Sequence, residues 1–415
     1  MSRCKLGDLI DVTRGTSLQG KNYSEEGKLI RLTLGNFDSK GGFKENTAKK
    51  DIYYIGNVKK EFILQKGDMI TPLTEQTFGL LGSMARIPES NKYIQSQDVG
   101  LIKCKKEKID DSFCYYLISS NLVRKQLSAA AQQTKIRHTS PDKIKDVIVD
   151  IPELDYQKKA GKILDYITYK IENNNKINEE LEAMAKTIYD YCFLQFEFPN
   201  EEGKPYKSSG GKMVWNEELK RKIPEGWKCV KLDEIFNFVK GKIPSEIFCE
   251  CNETHSTPYL TIEAINNSCE YCSEENMILT DGEVLMVMDG AASSEVYVGN
   301  KGAIGSTFCK LELKDKLVSN ELLYLIMKKY ESIFKKVNTG STVPHANKNY
   351  INNFKICLPK DNIQLEKIQK HIIMNIKQIN MRKRENKELA SLRDFLLPLL
   401  ISGQVEFREL ALAED

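Results

Sequence analysis

The 415-residue chain has no long apolar run; the longest, Phe395 to Ile401, is interrupted by Pro398. A bilayer span needs about 20 apolar residues, so no membrane helix is expected. The opening MSRCKLGDLIDV mixes charge with short apolar runs and lacks the apolar stretch of an export signal. Neither GxxxxGK[ST] nor a strand followed by GxGxxG occurs, which excludes the common ATP-binding and dinucleotide-binding signatures. The N/D-P-P-Y/F tetrapeptide of amino-methyltransferases is also absent. Histidine is scarce, four residues with none in HExxH or paired spacing, which leaves little for acid–base chemistry. Pro141-Asp142 with Glu202-x-Lys204 resembles a nuclease metal site only superficially. Its Asp falls in a turn before a strand, and its Lys lies in a linker beyond a long helix. These absences describe a binding protein rather than an enzyme.

Eleven cysteines, an odd number scattered over a long chain, fit reduced thiols and a cytoplasmic location. Cys249, Cys251, Cys269 and Cys272 form C-x-C-x17-C-x2-C with His255 nearby; the second pair has zinc-like spacing and the first is one residue short. The corresponding part of the first half has no such cysteines, so the scaffold does not require a metal, and reduced thiols are the expectation.

The chain repeats itself once, at an offset of about 207 residues. IRHTSPDKIKDVIVDIP at 136–152 matches VPHANKNYINNFKICLP at 343–359, placing His138 on His345, Ile144 on Ile351, Pro152 on Pro359 and Gln157 on Gln364. KLGDLIDVTRG at 5–15 matches KLDEIFNFVKG at 231–241, and Lys66-Gly67-Asp68 matches Asp281-Gly282-Glu283. The first half reads as short strands (29–34, 68–73, 99–104) around one helical stretch near 111–131, closing on a strand at Val147–Ile151. The second repeats this with strands near 257–262, 283–288 and 296–304 and a helix near 319–336. Strands with one or two helices and no regular βαβ alternation define an α+β class.

After Pro152 the pattern becomes helical. Leu164, Ile167, Ile171, Asn174, Asn178, Leu181, Ala185, Ile188 and Cys192 are spaced alternately 3 and 4 apart. Ile368, Ile372, Asn375, Ile379, Arg382, Asn386, Leu389, Arg393 and Leu396 repeat that spacing. The two helices are expected to pair as a long antiparallel coiled coil separating two pseudo-repeated domains. Asn178 and Asn386, equivalent polar residues in the seam, would fix its register. The expected bounds are a first domain at 1–151, a first helix at 152–198, a linker at 199–227, a second domain at 228–359, a second helix at 360–405 and a tail at 406–415. The linker, rich in Gly, Ser and Pro and holding Trp215 and Trp227, reads as a loop with an anchor. Residues 1–151 carry a net charge of +7 and residues 228–359 one of −3. The acidic half still crowds Lys328, Lys329, Lys335, Lys336, Lys348 and Lys355 into its last third.

Several segments in this order resemble the specificity subunit of Type I restriction–modification systems. They are the two repeat starts, the linker GKPYKSSGGKMVWNEELKRKIPEGW, TKIRHTSPDKIKDVIVDIPELDYQ and GSTVPHANKNYINNFKICLPKDNIQ before the helices, and LLPLLISGQV near the end. The resemblance implies two target recognition domains, each reading one half of a split sequence in double-stranded DNA. It also implies coiled-coil helices that dock two methyltransferase subunits, with a restriction subunit joining the assembly. S-adenosylmethionine, ATP and Mg would sit on those partners, with no cofactor or metal on this chain. The competing reading is a coiled-coil adaptor that binds only proteins. Polar loops beside strand ends are the expected DNA contacts: Arg14, Thr16, Lys21, Gln76, Thr77, Lys135, Arg137 and His138 in the first domain. In the second they are Lys242, Ser245, Ser293, Ser294, Thr342, His345 and Lys348. Arg and Lys suit phosphates or guanine, and Gln, Ser and Thr suit base edges. A residue repeated in both halves, such as His138 and His345, cannot distinguish two sequences and is expected to touch phosphate or support the scaffold.

Overall fold

The computed structural model describes every residue except 40, 47–51, 76–78, 132–136, 252–255, 267–269, 316, 341 and 408–415, and the side chain of Asn266. The chain divides into two units, Met1–Glu172 with Asn386–Asp415, and Asn173–Glu385. Each is a mixture of short strands and helices, an α+β arrangement.

In the first unit, Ser2–Lys5 pairs antiparallel with Ile148–Ile151, so one sheet holds both ends of the sequence repeat. A four-stranded antiparallel sheet follows the order Ile10–Arg14, Val99–Cys104, Met69–Pro72, Ala85–Arg86. A second sheet joins Tyr23–Ser24, Tyr53–Tyr54, Leu29–Arg31 and Tyr93–Ile94. The second unit repeats the plan. Trp227–Lys231 pairs with Lys355–Pro359, and a sheet runs Phe236–Lys240, Phe308–Leu313, Val284–Val287, Val296–Tyr297. Register is shared as well as order: Arg14 faces Gly100 where Lys240 faces Cys309. Gly15 and Gly241, which end the matched segments, have a steric reason to be glycine. A Cβ would lie 2.3 Å from the Gln95 carbonyl oxygen in one unit and 2.2 Å from that of Gly305 in the other.

The long helices run Leu154–Tyr189 and Asn362–Ile401. Every described seam residue is buried or half-buried. Within the second unit they run antiparallel: Asn174 Nδ2 donates to Glu385 Oε2 at 2.8 Å, while Ala185 shares a core with Ile368, Ile372 and Ile376. In the first unit Leu164 shares a core with Leu400 and Ile401. Asn178 is buried with its carboxamide oxygen unpaired, and Asn386 is half-buried.

Each unit grips a long helix through a buried glutamine. Gln157 accepts from the backbone N–H of Asp110 at 3.0 Å and donates to the Pro152 carbonyl, holding the start of the Asp111–Ser119 helix. In the second unit Gln369 likewise accepts from the residue before a domain helix, Ser319 N–H at 3.1 Å, but donates to the domain as well, to the Leu317 carbonyl at 2.9 Å. The repeat aligns Gln157 with Gln364, whereas the glutamine that meets the domain helix, Gln369, lies further along and is buried. Gly161, the one glycine of the first long helix, lets the Asp111–Ser119 helix approach: a Cβ there would lie 2.9 Å from the Asp110 carboxylate and the Phe113 nitrogen. Arg86 completes the attachment, reaching Asp165 at 2.8 Å with its guanidinium over the Tyr115 ring.

Three expectations change. The helical stretch near 111–131 is two helices, Asp111–Ser119 and Asn121–Ala130, because extended Ser120 ends the first and bonds its hydroxyl to the Leu117 carbonyl. The second unit has Met327-Lys328-Lys329 in the equivalent stretch, and its helix continues through Asn320–Lys336. The strand expected over 296–304 is two, Val296–Tyr297 and Lys301–Ile304, split by a turn with Gly299 at φ +82°. Finally, the stretch 199–227 is not a plain loop. Met213–Asn216 and Arg221–Pro224 form a hairpin, and Trp227 is a core residue stacked on Phe198 with its rings 5.0 Å apart. Trp227→Ala should cost about 3–5 kcal/mol in urea unfolding followed by circular dichroism. Trp215→Ala, at a site 56% exposed, should cost under about 0.5 kcal/mol.

Candidate nucleic-acid interface

Arg14, Thr16 and Lys21 in the first unit, and Lys242 and Ser245 in the second, lie at or beyond the ends of equivalent strands. In the first unit Arg14 ends its strand exposed, and Thr16 is tied to the Gln95 carbonyl at 3.0 Å. Lys21 stands exposed in the following turn of 3-10 helix, Gly20–Asn22. Gln76, Thr77 and Lys135 lie outside the described residues.

Arg137 and His138 form a two-residue strand against Thr74-Glu75. Arg137 is committed within the protein. Its guanidinium meets Glu75 at 3.0 Å and donates to the Ser128 hydroxyl, also at 3.0 Å. Glu75, only 2% exposed, also accepts from the backbone N–H groups of Gly79, Leu80 and Leu81 at 3.0, 2.7 and 3.0 Å. One carboxylate thus closes the turn that follows it and neutralises the arginine. His138 projects into solvent opposite Thr74.

In the second unit Lys242 and Ser245 are exposed on the segment beyond Lys240, and the Lys242 N–H is bonded to the Ile304 carbonyl at 3.0 Å. Thr342 and Lys348 are exposed, the latter opening the short helix Lys348–Asn352 capped by the Asn347 side chain. His345 Nδ1 lies 2.6 Å from Asp289 Oδ1. The expectation for Ser293 and Ser294 is corrected. Both are fully buried, with the Ser294 hydroxyl donating to Asn338 Oδ1 at 2.9 Å and the Ser293 hydroxyl accepting from Asn338 Nδ2 at 3.1 Å. Asn338 draws the turn inward, and the polarity that reads as surface in sequence is spent inside.

Glu75, Asp289 and Lys240 went unnoticed in the sequence. Lys240 was legible, since the repeat aligns it with Arg14. The two acids were not, because their roles depend on partners about 60 residues away, Arg137 and His345. Of the cysteine group, Cys249 and Cys251 are exposed; Cys272 is buried, and burial pushes its thiol up. Cys269 and His255 lie outside the described residues. Among the described residues no three His, Cys, Asp or Glu side chains gather as a metal site.

Two sheets of one order and register, each bearing its own set of loops, define a duplicated α+β domain. The chain matches the Type I restriction modification DNA specificity domain over residues 2–183 and 224–390, and it belongs to that family. It is 24% identical over 319 residues to the Type I restriction enzyme MjaIX specificity subunit of Methanocaldococcus jannaschii, covering 74% of this chain and 71% of that one. The MjaVIII specificity subunit of the same organism is 30% identical over 142 residues, a third of each chain. The HindI specificity subunit of Haemophilus influenzae is 20% identical over 378 residues, 76% of this chain and 82% of the relative. The fold resembles that of the Type I restriction-modification system S subunit from M. genitalium, with a TM-score of 0.64 at 16% identity over 98% of this chain and 96% of that one.

Removing Glu75 would take away the acceptor of three backbone N–H groups and the counter-charge of Arg137. Glu75→Ala should destabilise the first unit by about 2–4 kcal/mol. Hydrogen exchange should show the amides of Gly79, Leu80 and Leu81 losing protection first.

Proposed function

We propose that this chain supplies the DNA address for a Type I restriction–modification complex. Each unit reads one half of an asymmetric split target in double-stranded DNA. The observation that carries this reading is the pairing of a framework repeated within the chain with surfaces that differ. The central sheets agree strand for strand, while the residues around them differ: Thr74 against Asp289, Pro141 against Lys348, and a net +7 against −3 over the two globular segments. One small domain addresses only a few base pairs from one groove approach. Two dissimilar domains in one chain therefore favour a two-part, non-palindromic site, with the length of the paired helices setting the unread spacer.

The same helices offer docking surfaces for methyltransferase subunits. In the first unit Tyr166 and Tyr169 stand exposed on one helix, and Leu392 and Phe395 on the other. In the second unit Met184 and Met374 are exposed, and the repeat relates Tyr166 to Met374 and Leu392 to Met184. Exposed apolar groups at equivalent positions favour two equivalent partners. S-adenosylmethionine would then reside on those partners, and ATP and Mg on a restriction subunit, with this chain adding recognition rather than chemistry. In this reading the assembly works in the cytoplasm, where its DNA is.

Co-expression with a methyltransferase subunit in a methylation-free host, followed by single-molecule sequencing, should reveal methylated adenines in a split motif with a fixed spacer. The motif should vanish when this chain is deleted. Loss of nothing on deletion, beside a methyltransferase active with another specificity subunit, would sink the reading and favour a protein-only adaptor. Docking has its own check. Tyr166→Asp with Leu392→Asp should reduce the bound methyltransferase from two copies to one by native mass spectrometry.

A further inference from the structure

The second unit carries a net negative charge over its globular segment, yet cations converge at one place on it. Four of the six crowded lysines are committed to carboxylates. Lys328 pairs with Glu331 at 2.7 Å, Lys329 with Asp190 at 2.7 Å, Lys335 with Glu295 at 2.9 Å and Lys355 with Glu218 at 2.9 Å. Lys348 has no such pair among the described residues, and neither has Lys240.

These two line one cleft of about 240 Å³, together with Met288, Asp289, Cys309 and Asn347. Lys240 reaches it from the end of its strand, directly across from Cys309 in the sheet register. Lys348 comes from the first turn of the short helix, its ammonium 5.3 Å from the centre of the Phe238 ring. Both act on the same buried thiol: burial raises the Cys309 pKa, and the two lysines pull it back down, Lys348 partly through a hydrogen bond. Asp289, which lies 2.6 Å from His345, is the one carboxylate among the described lining residues, so two positive charges face one negative. Two lysines lining one cleft beside a single carboxylate leave it net positive, and an anion entering the cleft would neutralise that charge. Lysine, a compact point charge with rotatable donors, suits a phosphate oxygen.

The first unit does not reproduce the pair. Arg14 takes the place of Lys240, Pro141 that of Lys348 and Gly100 that of Cys309, so of the two cations only Lys240 has a charged counterpart. The feature is therefore specific to the second unit rather than part of the shared framework.

We propose that Lys240 and Lys348 clamp one phosphodiester group of duplex DNA in this cleft, an inference that rests on the DNA recognition proposed above. The clamp gives the acidic unit its local hold on the backbone and orients its variable loops over the bases.

The test measures binding of a labelled duplex by the full chain assembled with its methyltransferase subunits, as a function of salt. Lys240→Gln with Lys348→Gln should lower the slope of log K against log salt by about 1. K240R with K348R should restore it, which separates lost charge from lost folding. Lys228→Gln, on the strand Trp227–Lys231, should leave it unchanged. Salt-dependent binding with the same slope in the double Gln variant overturns the clamp and leaves the DNA reading standing. Absence of salt-dependent binding by the unaltered assembly overturns that reading, and the clamp falls with it. Inorganic phosphate alone provides the remaining arm. If it raises the melting temperature of the unaltered protein but not of the double Gln variant, while the DNA slope is unaffected, the cleft takes a free anion and the phosphodiester assignment is wrong.

Discussion

Much of the architecture depends on a buried amide. A long helix with polar residues in its seam does not hold a globular domain by apolar contact alone, because such packing tolerates sliding by a turn. Gln157 and Gln369 remove that freedom. Each accepts from the backbone N–H that precedes a domain helix, and Gln369 also donates to the Leu317 carbonyl there, while Gln157 donates to Pro152 at the start of its own helix; a shift along the axis would leave those buried donors without an acceptor. Gly161 works with Gln157 by admitting the domain helix to within a distance that a side chain would forbid. In each unit the attachment is therefore discrete, which suits a protein whose proposed task is to hold recognition loops in place.

On that support the two units spend polarity differently. The first buries Glu75 to close a turn and neutralise Arg137. The second closes its corresponding turn with Ser293, Ser294 and Asn338, neutral groups that need no counter-charge. The histidine common to both faces Thr74 in one unit and the Asp289 carboxylate in the other. A framework kept constant in strand order can therefore present different electrostatic surfaces through a few loop substitutions, without altering the sheet hydrogen bonds.

Much of this was legible in the residues because it rests on local periodicity. The alternating 3 and 4 spacing from Leu164 to Cys192 marks the buried face of the first helix, and every residue in it is buried or half-buried. The run Val99–Cys104 is a strand with the bounds its pattern gives. Legibility failed where a partner distant in sequence decided the outcome. Ser293 and Ser294 read as a polar surface loop until Asn338 draws them inward, and Trp227 reads as a linker residue until Phe198 stacks on it. Arg137 reads as a DNA contact, yet Glu75 and Ser128 already occupy its donors.

The amino-acid sequence by itself determined the duplication, the α+β class and the two long helices, because repeats and periodicity are read along the chain, and the resemblance of several segments pointed to the family. Only the tertiary structure decided which charges are free. Lys329, Lys335 and Lys348 look alike along the chain, but the fold brings Asp190 to the first and Glu295 to the second, and brings Lys240 to the last. Coulomb interaction depends on distance through space, and chain position sets that distance only after the chain has folded.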